Sequence, residues 1–322
     1  MSAKIAVIGS GISGIAAANS LLAKNYAVTI FDQGKNPGGR LGLRTLRNHP
    51  FTNRVVDVGA AYFTVSHDLF KNKVDEWSDL GLVNPWTNTF HVFDSYEITT
   101  TTDPMRFAAK KGLRSLAIYE LEKLKNKGVE IIQEKKIEKV FEKDDKVIVD
   151  NEVFDAVVLA MPGKQAARIL QDQQIKNELE KQVWQSALSA WLVIDGELPN
   201  YDAMFVNNHE VISLIINDGK RRSDNAPVIN AITTHDYAKS KLEDFQNYLD
   251  EIVDHVLELW RIDAQVLEKG ITRWSIAQPL PAQRPFLGKS IAIVGDAYDL
   301  NPRIESAWVD GVAVLNQLEA IQ

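Results

Sequence analysis

A glycine-rich motif in the first forty residues restricts the possible folds more than any other part of the chain. Lys4–Ile8 is a short apolar run typical of a strand buried on both faces. Gly9, Gly11 and Gly14 follow at GxGxxG spacing and lead into an apolar helical run. Glycines at this spacing permit a tight turn, the close approach of a pyrophosphate to the backbone, and close packing of helix on strand. The motif therefore predicts that the N-terminus of this helix binds a dinucleotide.

The residues after the helix support this prediction. Ala27–Phe31 has the composition of a second parallel strand, and Asp32 follows at its end. An acid at about twenty residues beyond the glycines binds ribose hydroxyls in dinucleotide sites. A glycine-rich structural turn is the alternative, but strand, helix, strand and acid in this order favour the cofactor site.

Gly38, Gly39 and Arg40 form a second glycine motif shortly after this acid. The sequence resembles the flavin-containing amine oxidase superfamily, in which this loop approaches the FAD pyrophosphate and the arginine neutralises nearby charge. An ordinary Gly-Gly turn beside a surface arginine is the alternative. The resemblance implies that FAD is the cofactor.

Another motif of this kind lies near the end of the chain. Ser290–Val294 is predicted to be a strand, Gly295 and Asp296 a turn, and Ile304–Ile321 a helix. The segment resembles the C-terminal "GD" box of FAD oxidoreductases. That resemblance implies that the aspartate binds ribityl hydroxyls and that the helix N-terminus points at the pyrimidine edge of the flavin.

Within that superfamily the chain most resembles the renalase-like branch. The resemblance rests on Asp57–Thr64, Met161-Pro162, Arg273-Trp274 and the terminal Gly295-Asp296 helix. Ala61 stands where the renalase pattern commonly has glutamine. The resemblance implies oxidation of dihydronicotinamide isomers, with a hydride passing to flavin N5 and O2 reoxidising the flavin to give H2O2. It also implies that the turn at Gly59 lies close to the flavin.

Composition limits the remaining classes of function. The chain has 322 residues with a formal net charge of −7 and no cysteine. The acidic balance disfavours nucleic-acid binding, and the lack of cysteine excludes disulfides, thiolate metal sites and a cysteinyl flavin link. We expect noncovalent FAD, no metal, no membrane span, a small-molecule partner and a cytoplasmic location; the oligomeric state is left open.

The predicted fold class is α/β, a Rossmann-like FAD-binding domain of the GR2, amine oxidase-like type, interleaved with a mainly antiparallel β-sheet plus helices that form a substrate domain. The first domain is assigned 1–85, 112–165 and 285–322, and the second 86–111 and 166–284. Pro85 and the polar run Thr99–Asp103 are predicted to lie in loops, and Lys239–Arg261 to form one amphipathic helix.

The predicted site residues follow from these motifs. The residues assigned to the cofactor are Gly9, Ser10, Gly11, Ile12, Ser13, Gly14, Asp32, Gln33, Gly39, Arg40, Gly59, Ala60, Ala61, Val140, Gly295, Asp296, Ile304 and Ala307. The candidates for catalysis are Tyr62, His235 and Trp274. Lys220–Arg222 is a candidate phosphate contact or a solvated turn, and Trp308 is a candidate wall of the flavin site or a core residue.

Two other functions fit the same cofactor motifs. An amine oxidase acting on small amines is the alternative enzyme. A flavin-binding protein without turnover is an alternative of another class. Reduction of the flavin by a small molecule, and the identity of that molecule, would separate the three.

Overall fold

The computed structural model describes residues 2–318. In chain order the strands are β1 Lys4–Ile8, β2 Ala27–Phe31, β3 Leu43–Thr45, β4 Val55–Asp57, β5 Phe63–Thr64, β6 Asn84–Asp94, β7 Glu97–Ala108, β8 Glu130–Ile132, β9 Val140–Lys143, β10 Lys146–Val149, β11 Glu152–Phe154, β12 Ala156–Leu159, β13 Trp184–Asp195, β14 Ala203–Val206, β15 Ile212–Asn217, β16 Val228–Thr233, β17 Gln265–Pro279 and β18 Ile291–Ile293. The helices are α1 Ile12–Ala23, α2 Asp68–Asp79, α3 Arg114–Asn126, α4 Gly163–Ile169, α5 Gln173–Glu180, α6 Asp218–Arg222, α7 His235–Lys241, α8 Leu249–Trp260 and α9 Ile304–Val312. Short 3₁₀ turns cover Phe245–Tyr248, Asp296–Tyr298 and Ala313–Gln317.

A five-stranded parallel sheet forms the first layer, in the order β18-β12-β1-β2-β8. Apart from the first residues of β1 and β2, strands β1, β2, β12 and β18 are buried on both faces, as their continuous apolar sequences require. The edge strand β8 is only partly buried. Helix α9 crosses α1 closely, because Gly311 lies directly over the carbonyl of Ser13. Helices α1 and α9, which are far apart in the sequence, are therefore packed directly together.

The second large layer is an eight-stranded sheet in the order β17-β13-β16-β15-β14-β6-β7-β5. It is antiparallel throughout except for the parallel pair β14 and β6. The amphipathic helix α8 covers it with Ile252, Val253 and Val256. The predicted fold class, a Rossmann-like layer combined with a mainly antiparallel sheet and helices, is confirmed. The assignment of residues to two domains stays a prediction.

Four predicted elements differ from the structure. Pro85 and Thr99–Asp103 lie in strands β6 and β7, not in loops, because the two strands form a long hairpin whose threonines suit a half-exposed β surface. The predicted helix Lys239–Arg261 is broken into α7, a 3₁₀ turn and α8. The last helix ends as α-helix at Val312 and continues as a 3₁₀ turn to Gln317, and residues 319–321 of that prediction lie outside the described residues.

Candidate dinucleotide site

The GxGxxG loop has an open face next to a tightly packed one. A Cβ at Gly14 would collide with the carbonyl oxygen of Gly9, so only glycine permits this approach of α1 to β1. A Cβ at Gly11 would meet no protein atom within 4 Å. The loop therefore leaves space at the first residue before α1, where the free N–H groups of a helix attract phosphate.

Asp32 fixes the shape of this loop from the end of β2. Its carboxylate accepts hydrogen bonds from Ser10 N at 2.7 Å and from the Ser10 hydroxyl, and its other oxygen accepts from Gly34 N at 2.7 Å. Gln33 is exposed beside it. The predicted ribose acid thus lies against the glycine loop, as a dinucleotide site requires.

The Gly38–Arg40 loop brings the two ends of the chain together. Gly38 N donates to Ser10 O at 2.9 Å, and Arg40 is paired in a two-pronged contact with Asp296, with Nη1 at 2.8 Å from Oδ2. Arg40 Nη1 also donates to Ala277 O at 3.1 Å, and its guanidinium lies 5.2 Å from the ring centroid of Trp184. The predicted pyrophosphate arginine and the predicted ribityl aspartate are therefore neighbours in space.

The turn Gly59–Tyr62 adjoins this pair. Ala60 N donates to Arg40 O at 3.0 Å, and Gly59 N donates to Gly42 O at 3.1 Å. Trp274 reaches the same turn from β17, where its Nε1 donates to Val58 O at 2.5 Å and its ring lies over Gly42. The structure therefore brings together the residues predicted from four separate segments of the chain.

The C-terminal turn is held by a second carboxylate. Gly295 N donates to Asp310 Oδ2 at 2.8 Å, and Arg284 is ion-paired with the other oxygen of Asp310. Burial raises the pKa of Asp310, and Arg284 opposes part of that rise. Ile304 and Ala307 lie on α9, which follows this turn.

Three other candidate residues have contacts that differ from those of this cluster. His235 begins α7, with Nδ1 2.9 Å from Ser186 O. Val140 is fully buried in β9, opposite Val149. Trp308 is 3% exposed and packs edge-on against Trp77 in the hydrophobic core, which favours the core alternative.

In the segment Lys220–Arg222, the two arginines are neither phosphate contacts nor part of a solvated turn, and Lys220 is half-buried with its Nζ 3.5 Å from Asp202 Oδ1. Arg221 and Arg222 are 1% and 4% exposed and are paired with Asp218 and Asp57. Arg222 Nη2 lies 2.7 Å from Asp57 Oδ2, and Arg54 Nη1 lies 2.6 Å from Asp218 Oδ2. The three arginines neutralise buried carboxylates and are not available to a substrate.

This buried network also positions the turn beside the cofactor residues. Arg221 donates to Ala61 O, and the other oxygen of Asp57 accepts from Leu113 N at 2.9 Å. The sequence analysis missed the network, although Asp218 precedes Arg221 and Arg222 by three and four residues, the helical spacing for ion pairs. Arg106, which lies near Tyr62, was also missed.

Tyr62 is half-buried at the far end of the turn, and its ring packs edge-on against Phe90 at 5.3 Å. Burial raises the pKa of Tyr62, and the guanidinium of Arg106 opposes that shift. Tyr62 is therefore a neutral phenol at physiological pH. Its role in catalysis stays a prediction.

The residues present fit a dinucleotide such as FAD. Phosphate groups would find open space at Gly11 and the N-terminus of α1 behind it. Sugar hydroxyls and phosphate charge would find the carboxylate of Asp32 and the Arg40–Asp296 pair. In the described part of the chain no helix is long and apolar enough to cross a membrane.

Comparison with known proteins agrees with this geometry. Residues 7–76 match the family described as an NAD(P)-binding Rossmann-like domain. A segment of 106 residues is 34% identical to a 4,4'-diapophytoene desaturase (4,4'-diaponeurosporene-forming) from Staphylococcus haemolyticus (strain JCSC1435), covering 31% of this chain and 20% of the desaturase. The matched segment thus spans about a fifth of that relative's length.

Several solved structures resemble nearly the full length of the chain. A putrescine oxidase bound to putrescine superposes with a TM-score of 0.74 at 13% identity, covering 97% of this chain and 98% of the other. A reduced UDP-galactopyranose mutase gives 0.76 at 12% identity, with 98% and 94% covered. An oxidoreductase from Methanosarcina mazei gives 0.75 at 11% identity, with 97% and 100% covered. The chain thus has the fold of amine oxidase-like flavoproteins, a fold with which FAD as cofactor is consistent.

Proposed function

We propose that this chain is an FAD-dependent oxidase of dihydronicotinamide substrates, with O2 as the electron acceptor and H2O2 as the product. The observation that carries the proposal is the contact of Arg40 with Asp296, which joins the two flavin motifs at opposite ends of the chain. The similarity to the renalase-like branch at Asp57–Thr64, Met161-Pro162 and Arg273-Trp274 supports the choice of substrate. The residues proposed for the FAD domain are 1–85, 112–165 and 285–322.

Each of the residues around this contact has a proposed part in holding the cofactor. The N-terminus of α1 and the open face at Gly11 hold the pyrophosphate, and Asp32 holds the adenosine ribose. Arg40 neutralises phosphate charge, and Asp296 accepts from ribityl hydroxyls. Bound FAD supplies a two-electron acceptor for a hydride.

The remaining task of the protein is to orient the substrate ring. A dihydropyridine gives up a hydride to form an aromatic cation, so the reaction requires orientation more than acid–base help. Trp274 on β17 contacts one end of the turn assigned to the flavin, at Val58, and Tyr62 forms its other end. We propose that these two side chains flank the substrate ring.

Anaerobic stopped-flow reduction of the FAD-loaded protein tests the proposal. The panel contains normal and isomeric dihydronicotinamide dinucleotides together with mono- and polyamines, and free FAD under the same conditions measures the uncatalysed rate. We expect rapid bleaching of the flavin by a dihydronicotinamide and none by the amines. Bleaching by an amine would instead identify an amine oxidase, and no bleaching would leave a flavin-binding protein without turnover.

A further inference from the structure

Arg106 differs from every other buried charged residue in the described structure. The charged side chains less than 9% exposed are Asp57, Arg106, Glu120, Asp218, Arg221, Arg222, Asp296 and Glu305. All of them except Arg106 have an oppositely charged partner within 4.0 Å. Arg106 is 4% exposed and has none among residues 2–318. Because a buried charge without a partner is costly, this exception calls for an explanation.

The surroundings of Arg106 are aromatic. Its guanidinium lies 3.9 Å from the ring centroid of Phe90 and 5.8 Å from that of Tyr62. Nη1 donates to Pro104 O at 3.3 Å, and Nε is buried without a hydrogen-bond partner. The π faces offset part of the desolvation of the cation, but they do not replace a negative charge.

Trp86 adds a second unused donor to the same cluster. Its ring lies 5.3 Å from Phe90 and 6.2 Å from Tyr62, and its buried Nε1 has no partner. Two N–H donors therefore flank the same two rings without an acceptor. Buried donors are normally satisfied, and these two belong to residues that contact the same pair of rings, which favours a ligand that brings acceptors.

The cluster lies beside the turn assigned to the flavin. Arg106 on β7 pairs with Thr64 on β5, two residues beyond Tyr62. Tyr62, Trp86 and Phe205 are only half-buried, so the cluster reaches the surface of the protein. A ligand at this position would lie next to Tyr62.

We propose that Arg106 and Trp86 bind a negatively charged group, a phosphate or a carboxylate, on the substrate that reduces the flavin. The inference rests on the proposed function, because the turn ending at Tyr62 is assigned to the flavin. It also separates the two enzyme classes, because a protonated amine would meet a guanidinium of the same sign. A phosphorylated dihydronicotinamide supplies the missing negative charge.

The stability of an Arg106→Met variant separates this role from a structural one. Removing an unpaired buried cation removes a desolvation cost, so the variant should melt at the same temperature as the wild type or higher. If the contacts with Phe90 and Tyr62 instead make Arg106 a structural anchor, the melting temperature should fall. Arg44→Met removes the same charge from an exposed position on β3 and serves as the matched control.

Nicotinamide ligands with and without an anionic group provide the functional test. The oxidised, FAD-loaded protein is titrated with nicotinamide mononucleotide, nicotinamide riboside and nicotinate, and binding is followed by the flavin spectrum. We expect Arg106→Met to weaken binding of the mononucleotide by roughly 10- to 100-fold, the range for a lost charged hydrogen bond. Binding of the riboside, whose pyridinium ring is cationic, should stay unchanged or become tighter, because no guanidinium of the same sign then faces it. Arg106→Lys should retain part of the affinity, and Arg44→Met should retain all of it. Nicotinate shows whether a carboxylate replaces the phosphate.

The same titration separates failure of this inference from failure of the proposed function. Equal loss of mononucleotide and riboside, or a lowered melting temperature, would overturn the role of Arg106 even if dihydronicotinamides reduce the flavin. No preference of the wild type for either anionic ligand over the riboside would overturn it as well. A charge-dependent loss would support it even if no dihydronicotinamide reduces the flavin, in which case only the proposed reaction fails.

Discussion

Gly11→Ala is the sharpest test of the cofactor site, because the structure separates its effect on binding from its effect on folding. Gly11 has φ −71° and ψ 174°, a conformation open to alanine, and its added Cβ would meet no protein atom within 4 Å. Alanine is a poorer N-cap than glycine, at a cost below about 1 kcal/mol. It also restricts the unfolded chain, which contributes about 0.4–1 kcal/mol in the opposite direction. The free energy of unfolding of the apoprotein should therefore change by less than ~1 kcal/mol.

Binding should respond differently. If the pyrophosphate approaches the backbone at Gly11, the new methyl group occupies that space, and overpacking of this size costs about 1–3 kcal/mol. Since each 1.4 kcal/mol is tenfold, the dissociation constant for FAD should rise roughly 5- to 150-fold.

Quenching of flavin fluorescence by the apoprotein measures the dissociation constant, and urea unfolding of the same sample measures stability. Gly14→Ala is the matched control, because its Cβ would collide with the carbonyl of Gly9 and should destabilise the apoprotein itself. Unchanged FAD affinity in a normally stable Gly11→Ala protein would refute the pyrophosphate assignment. A large loss of stability would refute the reasoning that this space is open.

Three further outcomes follow from the ion pairs. Asp218→Asn removes the negative charge that three guanidinium groups share, and it should lower the free energy of unfolding in urea by about 3–5 kcal/mol. The control variant Lys71→Met breaks an exposed ion pair with Asp75 and should leave the free energy of unfolding unchanged. Burial disfavours the Asp218 carboxylate, but the surrounding arginines outweigh this and hold its pKa well below the usual range. The ionised carboxylate therefore stabilises the fold fully above about pH 4, and this stabilisation is lost as the pH falls further. The difference in free energy of unfolding between wild type and Asp218→Asn should accordingly become smaller when urea unfolding is measured below about pH 4. Asp296→Asn should lower the amount of FAD retained through gel filtration, and full retention would count against the C-terminal motif.

The parts of the fold that depend on local pattern were predictable. The first forty residues contain a strand, a glycine loop, a helix and a second strand in direct succession. The structure has the strands at the predicted positions, Lys4–Ile8 and Ala27–Phe31, with the helix between them. The fold class follows from that order of elements. The contact of Arg40 with Asp296 joins residues 256 positions apart, and no local pattern predicts it. The resemblance to flavin motifs assigned each residue to the cofactor but did not pair them.

The hairpin of β6 and β7 could not be recognised from its own sequence. Pro85 and the threonine-rich run have the composition of a loop, and the strands are defined by partners elsewhere, including β14, which pairs with β6 from more than a hundred residues away. Tertiary pairing decided the conformation there, as is common for strands. Arg106 was missed for the same reason. It stands out only because it is buried, and a loop would have left it exposed.

The charges around the turn explain why Arg106 would dominate recognition. Arg54, Arg221 and Arg222 are balanced by Asp57, Asp218 and Asp224, and Arg40 is balanced by Asp296. Opposite charges a few ångströms apart largely cancel at larger distances, so these groups hold the turn in place but contribute little field to a ligand beside Tyr62. The guanidinium of Arg106 is not cancelled in this way, and burial among aromatic rings keeps water from screening it. A ligand at this position therefore experiences mainly one positive charge, which favours a dihydronicotinamide phosphate and disfavours a protonated amine.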